Sequence, residues 1–508
     1  MGILKRCPIQ PAAALDLPRR DGSLRGFLHP MKMTPQTDRL KAAHRSRLLT
    51  MKIARLSVWT ILVFLLVPFS RQAAAYSLLT HEQLIDLTWQ DAIVPLLLSR
   101  YPSLTPAELD RARAYAYGGC VIQDIGYYPF GDRSFSNLTH YVRTGDFVAN
   151  LFRNAKNANE LAFAVGALSH YIGDSIGHSQ ATNLAVPIEF HSLFDRYGPV
   201  VNYAEGRHQH VQTEFAFDIN EIAHRRVAPL RYLRHIGLKV PTGLVGLAFY
   251  QTYGLTDFAG HRAHRFKVRE YRWAARTFIP RIAYSITVLH RKDEPAEPNT
   301  PDSIEIEKEA AATGVACHWD AYRGKKPRFE TYLLAGVLFI LPKIGPLSLI
   351  AVKGPTMQTE ADYMHSVAQA TAALRYELTR FTPLSARQAA PAGTIALAAP
   401  FGPSDPVHPL PNRDLDTGRV VQPGGYALTD STYASLLHRI AQQPTQPIPP
   451  GIKEDIETYY TNPQFTPGTA KDPTKWARVQ ADLKILNGMT TSNELAPFPT
   501  YDDTDGDE

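Results

Sequence analysis

The stretch NANELAFAVGALSHYIGDSIGHSQ, residues 157–180, decides how this chain folds. Asn157 stands three residues before Glu160, a pairing that starts helices because the first side chain can accept from the backbone N–H of the second. The spacing predicts a helix running from there to His178. Its polar residues are not scattered. His170, Asp174 and His178 fall at i, i+4 and i+8. Each step of four advances about 40° around a helix, so all three project from one side over two turns. Imidazole nitrogens and a carboxylate oxygen are ligands that zinc accepts. Taken alone, the stripe fits a solvated polar face with two surface histidines equally well.

On either side the pattern stays helical. Thr80-His-Glu-Gln83 reads as a capping box ahead of LIDLTWQDAIVPLLL. Thr105-Pro-Ala-Glu108 is another, with Pro106 at the first helical position and a stop at Gly118-Gly119. Loops such as GYYPFGDRSF (126–135) carry Gly, Pro and Tyr. No sustained Val/Ile alternation asks for a sheet, so residues 76–292 read as an all-α domain. DEPAEPNTPDS (293–303) is a charged, Pro-rich break, and residues 304–382 read as a helical continuation packing on that domain. Within it, Tyr332 to Leu341 is apolar for ten residues before Pro342-Lys343. That is too short to cross a hydrocarbon core of about 30 Å, and it reads as a buried helix followed by a turn. Residues 383–508 form a Pro-rich, mostly irregular C-terminal region with two short helix candidates, Ser431–Gln442 and Thr474–Leu486. It ends in the acidic tail YDDTDGDE.

Composition sets the outer limits. Of 508 residues 44% are hydrophobic and 20% charged, enough to bury a large core, which excludes a wholly disordered chain. Three cysteines exclude a disulfide scaffold. The net charge of +6 suggests a polyanion binder, but residues 1–75 hold 13 of the 54 Lys/Arg and only 3 of the 48 Asp/Glu. The rest carries 41 basic and 45 acidic residues, a net of −4, so stable nucleic-acid binding is not expected. Within the leader, MKIARLSVWTILVFLLVPFSRQAAA (51–75) has a positive start, an apolar stretch and a small-residue end, the pattern of a secretory signal peptide. Residues 1–50 read as a misread or disordered extension upstream of it. Cleavage after Ala75 makes Tyr76 the first residue of a secreted or periplasmic chain. Cys120 and Cys317 are then its only cysteines, and the sequence leaves their pairing open.

The stripe on 157–180 has company. His210-Val-Gln-Thr-Glu214 is a second i, i+4 pair, preferred over His191 and Asp195 because it sits in a longer helical run. Asp124 follows Gly118-Gly119, His140 comes sixteen residues later, and His81 lies five residues after Tyr76. A free α-amino group has a pKa near about 7.7–8.0 and gives up its proton to a metal readily. Tyr115, Tyr117, Tyr127, Tyr128 and Phe130 can wall a pocket beside Asp124 or pack the helix ends, the second being the commoner use.

In this order (terminal aromatic, His, Asp, His, His-x3-Asp, His, His-x3-Glu) the chain resembles the bacterial zinc-dependent phospholipase C family and its relatives, the single-strand-specific zinc nucleases. The resemblance covers roughly residues 76–215 and implies an all-α fold holding three zinc ions. By position it implies one zinc on Asp124, His140, His170 and Asp174. A second would sit on the Tyr76 amine and carbonyl, His81 and the shared Asp174, and a third on His178, His210 and Glu214. Two departures stand out. The family's second His comes six residues after the Asp, where this chain has Gln180. His178 is four after, as in the branch that includes glycosylphosphatidylinositol-specific phospholipase D. The terminal aromatic is Tyr rather than Trp. The activity implied is a zinc-dependent phosphodiesterase that releases a phospholipid head group by a metal-bound hydroxide, with Asp124 and Asp174 in catalytic roles and transient contact with a membrane surface. The alternatives are a single-strand-type nuclease or other phosphoesterase, and a secreted zinc-binding protein without turnover.

Overall fold

A computed structural model describes residues 78–128, 131–256, 263–290, 295–324, 329–340, 352–381 and 408–492. All of them belong to one of the two units into which the chain divides; residues 8–70, the other unit, are not among them. The expected leader, Tyr76, the acidic tail and the turn after residue 341 also lie outside the described residues. Every named element is helical, and the only β-type pairing among the described residues is two isolated bridges. The fold is all-α.

The helices that build the site are α1 (Leu78–Thr88), α2 (Pro106–Gly119), α3 (Arg133–Tyr141), α4 (Thr144–Asn154) and α5 (Ala158–Gly177). They are followed by α6 (Tyr203–Ala223), α7 (Met357–Phe381) and α8 (Ala427–Ala441). Helix α5 is the axis. Asn157 caps it by accepting from Glu160 N, as the sequence predicts, and it is buried on nearly all sides by α1, α2, α4 and α7. Its approach to α2 is set by glycine. A Cβ on Gly119 would stand 2.1 Å from the Phe163 carbonyl oxygen, and one on Gly166 would stand 2.2 Å from that of Ala116. Larger residues would force the two helices apart. The box at Thr105 and Glu108 forms as read.

Three readings change. Thr80 and Gln83 do not cap, because α1 is already helical at Leu78; both turn to α6, Thr80 bonding Asp218 and Gln83 bonding Glu221. The helix Phe329–Ile340 buries Ala335 and Leu338 but leaves Phe329, Tyr332, Leu333, Phe339 and Ile340 exposed, so the expectation of a buried helix fails there. The C-terminal region is also more helical than its prolines suggest. Beside α8 and Pro473–Gly488, which extend the two candidates, it holds a helix at Pro450–Thr461. Pro450 opens that helix at a position that needs no N–H donor. Cys120 and Cys317 are buried and not joined by a disulfide.

Candidate metal centre

Eight of the nine residues expected to bind metal are described, and all eight are buried. Helix α5 carries His170 and Asp174 on its inner face. His178 begins a π-helical turn, His178–Thr182, that continues directly from α5. Helix α1 brings His81, and α3 brings His140. A 3-10 turn, Gln123–Gly126, brings Asp124 after α2 ends. Helix α6 brings His210 and Glu214.

They gather in three sets of mutually close ligand atoms. One is His81, His170 and Asp174; another is Asp124, His140 and His170; the third is His178, His210 and Glu214. The first two share His170, and Asp174 lies between their other members. Its Oδ1 lies 3.2 Å from His81 Nε2, while its Oδ2 lies 3.1 Å from His170 Nε2 and 3.4 Å from His140 Nε2. Asp124 Oδ1 is 3.3 Å from His140 Nε2 and 4.0 Å from His170 Nε2. In the third set Glu214 Oε1 is 2.8 Å from His210 Nε2 and 3.3 Å from His178 Nε2. The rival pair, His191 and Asp195, is exposed on a short helix and joins none of these sets.

The outward nitrogens are held. Nδ1 of His140 faces the Ser136 carbonyl at 2.7 Å, that of His170 the Cys120 carbonyl at 2.9 Å, and that of His178 the Leu415 carbonyl at 3.0 Å. A carbonyl can only accept, so each Nδ1 carries a proton and each Nε2 is turned toward the centre. This is how metal-binding histidines are oriented.

The carboxylates complete the test of fit. Neither oxygen of Asp124, Asp174 or Glu214 accepts a hydrogen bond, though all are buried. The imidazole nitrogens come within 4.0 Å of these oxygens, but not in hydrogen-bonding geometry. A buried carboxylate without donors costs several kcal/mol unless a cation faces it. Charge tells the same story. Burial pulls the His210 imidazole down to about 4, leaving it neutral, the form that binds metal. Burial works the same way on His140, but the Asp124 and Asp174 carboxylates outweigh it and hold that ring up to about 10. Burial pushes Glu214 well above the ordinary carboxylate range against the pull of His178. These groups are arranged to share positive charge, and the nitrogen and oxygen donor set suits zinc.

Residues 80–263 match the family model described as zinc-dependent phospholipase C. The likeness is confined to this region. The matched region holds all eight described candidate ligands and supports a zinc phospholipase C-type hydrolase. No curated protein and no solved structure matches the chain.

The sequence reading missed a contribution from far along the chain. Leu415 and Asp416 stand at the His178 ring, and Tyr141 and Tyr426 hold Asp416. The tyrosines expected near Asp124 divide between core and site. Tyr117 donates to Asp86 and packs inside, whereas the Tyr127 ring sits 5.2 Å from that of His140.

Proposed function

We propose that the chain is a secreted phosphodiesterase of the phospholipase C type, acting on phospholipid head groups with three zinc ions. The observation that carries this is Asp174, whose two oxygens face different histidines, Oδ1 toward His81 and Oδ2 toward His140 and His170. A carboxylate divided in this way would suit two cations, and two-cation sites are built for in-line displacement at phosphorus. His81 and Asp174, with the Tyr76 amine and carbonyl, would hold one ion. Asp124, His140, His170 and Asp174 would hold the second, and His178, His210 and Glu214 the third.

Bound zinc would supply Lewis acidity, neutralising charge on phosphoryl oxygens and making water acidic enough to ionise near neutral pH. The chain's own residues do the rest. Asp174 would hold both ions of the pair. Asp124 has an oxygen, Oδ2, beyond its approach to His140, and there it can orient water or take its proton. The Ser136, Cys120 and Leu415 carbonyls keep three imidazoles from turning. Removal of residues 51–75 is part of this reading, because the Tyr76 α-amino group becomes a ligand only once it is free.

The test is product analysis on the zinc-loaded, secreted protein. Phosphatidylcholine vesicles should yield diacylglycerol and phosphocholine, and single-stranded DNA should stay intact. Nucleotide release without lipid cleavage would move the site to the nuclease reading. Three bound zincs with neither product would leave a zinc-binding protein without turnover.

A further inference from the structure

Residues 412–421 lie well beyond the family-matched region and fold back as a narrow hairpin. Arg413 and Val420 bridge antiparallel, Val421 N donates to Asn412 O, and Asp414 N donates to Arg419 O. The Asp414 side chain ties the turn by accepting from Thr417 N and Thr417 Oγ1. The tip reaches two of the ligand sets. Leu415 N donates to the His140 carbonyl at 3.0 Å, and Leu415 O faces His178 Nδ1 at 3.0 Å. Asp416 Oδ1 lies 3.7 Å from the same Nδ1, and Oδ2 accepts from Tyr141 at 2.9 Å and Tyr426 at 2.5 Å. The Asp416 carbonyl accepts from Asn183 Nδ2 at 2.7 Å. Gly418 has φ +68°, and a Cβ there would stand 2.2 Å from the carbonyl oxygen of Ser175, the residue after Asp174.

We propose that this hairpin is a working part of the metal centre: Leu415 positions His178 for the third metal and couples that site to the pair through the His140 backbone. The proposal rests on the three-site reading above. Its physical content is that of an outer shell. The Leu415 carbonyl fixes the proton on Nδ1 and the plane of the ring, so Nε2 faces His210 and Glu214. The Asp416 carboxylate beside the same N–H strengthens Nε2 as a donor. Asp416 is itself fixed by two buried tyrosine hydroxyls, so the ring is held by a network rather than by one bond. Because Leu415 spends its N–H on one set and its carbonyl on the other, shifting the hairpin disturbs both, and the third site most. These are positioning residues. None is placed to ligate a metal or touch a substrate.

The experiment uses the full chain, loaded with zinc and titrated with a chelator while retained zinc is counted. Cobalt-substituted protein gives the visible absorption of each site. Gly418→Ala forces the hairpin off Ser175 and should weaken one zinc about 10- to 100-fold, the usual effect of losing an outer-shell partner, and the other two by less. Its cobalt spectrum should change in the component assigned by His210→Ala. Asp416→Asn keeps acceptors for the two tyrosines but loses the charge beside His178, and should give a smaller shift in the same direction. Should Gly418→Ala fail to fold, Asp416→Asn and Tyr426→Phe carry the test. Arg419→Ala, at an exposed position on the hairpin, should change nothing. If wild type itself binds no metal that His210→Ala removes, the three-site reading fails. If wild type binds it and the hairpin variants retain it within about twofold, against the 10- to 100-fold expected of an outer shell, the hairpin has no positioning role. Faster turnover with full metal content would make it an occluding segment, which also overturns the proposal.

Discussion

The two ends of the centre are held differently. At the pair, every described ligand and every carbonyl that steers one comes from residues 81–174, supplied by α1, α3, α5 and the turn after α2. At the third set, His178 stands on a π turn, its partners come from α6, and its ring is steered by a backbone 237 positions further on. Ligands carried by a central helix packed on all sides need little outside help, whereas a ligand at a helical irregularity is held by whatever packs against it. The pair should therefore resist changes elsewhere in the chain better than the third site does.

The largest effect falls at the carboxylate between the two sets of the pair. Asp174→Ala removes the oxygens facing His81 and those facing His140 and His170 together. Both metals of the pair should be lost while the third is kept. Phosphodiester cleavage should fall roughly 10³-fold or more, at or beyond the scale of removing one preorganised stabiliser of developing charge. Elemental analysis and steady-state rates on the same sample check this. Loss of only one zinc would mean that Asp174 serves a single ion.

A narrower change tests whether the third site stands apart. His210→Ala takes away a neutral, buried donor and leaves His178 and Glu214 in place. One zinc should disappear, with two remaining at unchanged chelator resistance. Activity should fall by less than in Asp174→Ala, because the bridging carboxylate is intact. A drop to zero zincs would show that the two ends are one cooperative unit.

The same contrast governs what could be read from the sequence. The stripe on α5 was legible because helical spacing is local: His170, Asp174 and His178 share a face whatever surrounds them. His210 and Glu214 followed by the same rule. Asp124, His140 and His81 have no local rule connecting them, and only the ordered resemblance to the zinc phospholipases drew them together. Leu415 was illegible in principle, since it acts through its main chain, which every residue possesses. Thr80 shows the opposite error. Its capping pattern was sound locally, but Asp218 on α6 offered a buried carboxylate that the hydroxyl and N–H satisfy instead. The apolar run at 329–340 formed its helix but did not bury it, because hydrophobicity alone does not say which neighbours arrive.

The smallest expected effect lies in the hairpin's own stability. Burial pushes the Asp414 carboxyl up to about 7, against the hydrogen bonds from Thr417 and with the help of nearby Asp416. The unfolded chain releases that proton near the ordinary aspartate value of 3.8. Between these two values the folded state binds more protons than the unfolded one, so this group's contribution to stability falls as pH rises and is lowest above 7. Asp414→Asn removes the ionisation and keeps an acceptor for the Thr417 N–H. Measured on metal-free protein, so that zinc release does not enter, the variant's melting temperature relative to wild type should be higher at pH 8 than at pH 5. An equal difference at both values would mean that Asp414 ionises normally and that the hairpin base is open to water. The third site would then lack the dry, rigid support that distinguishes a steering carbonyl from a passing contact.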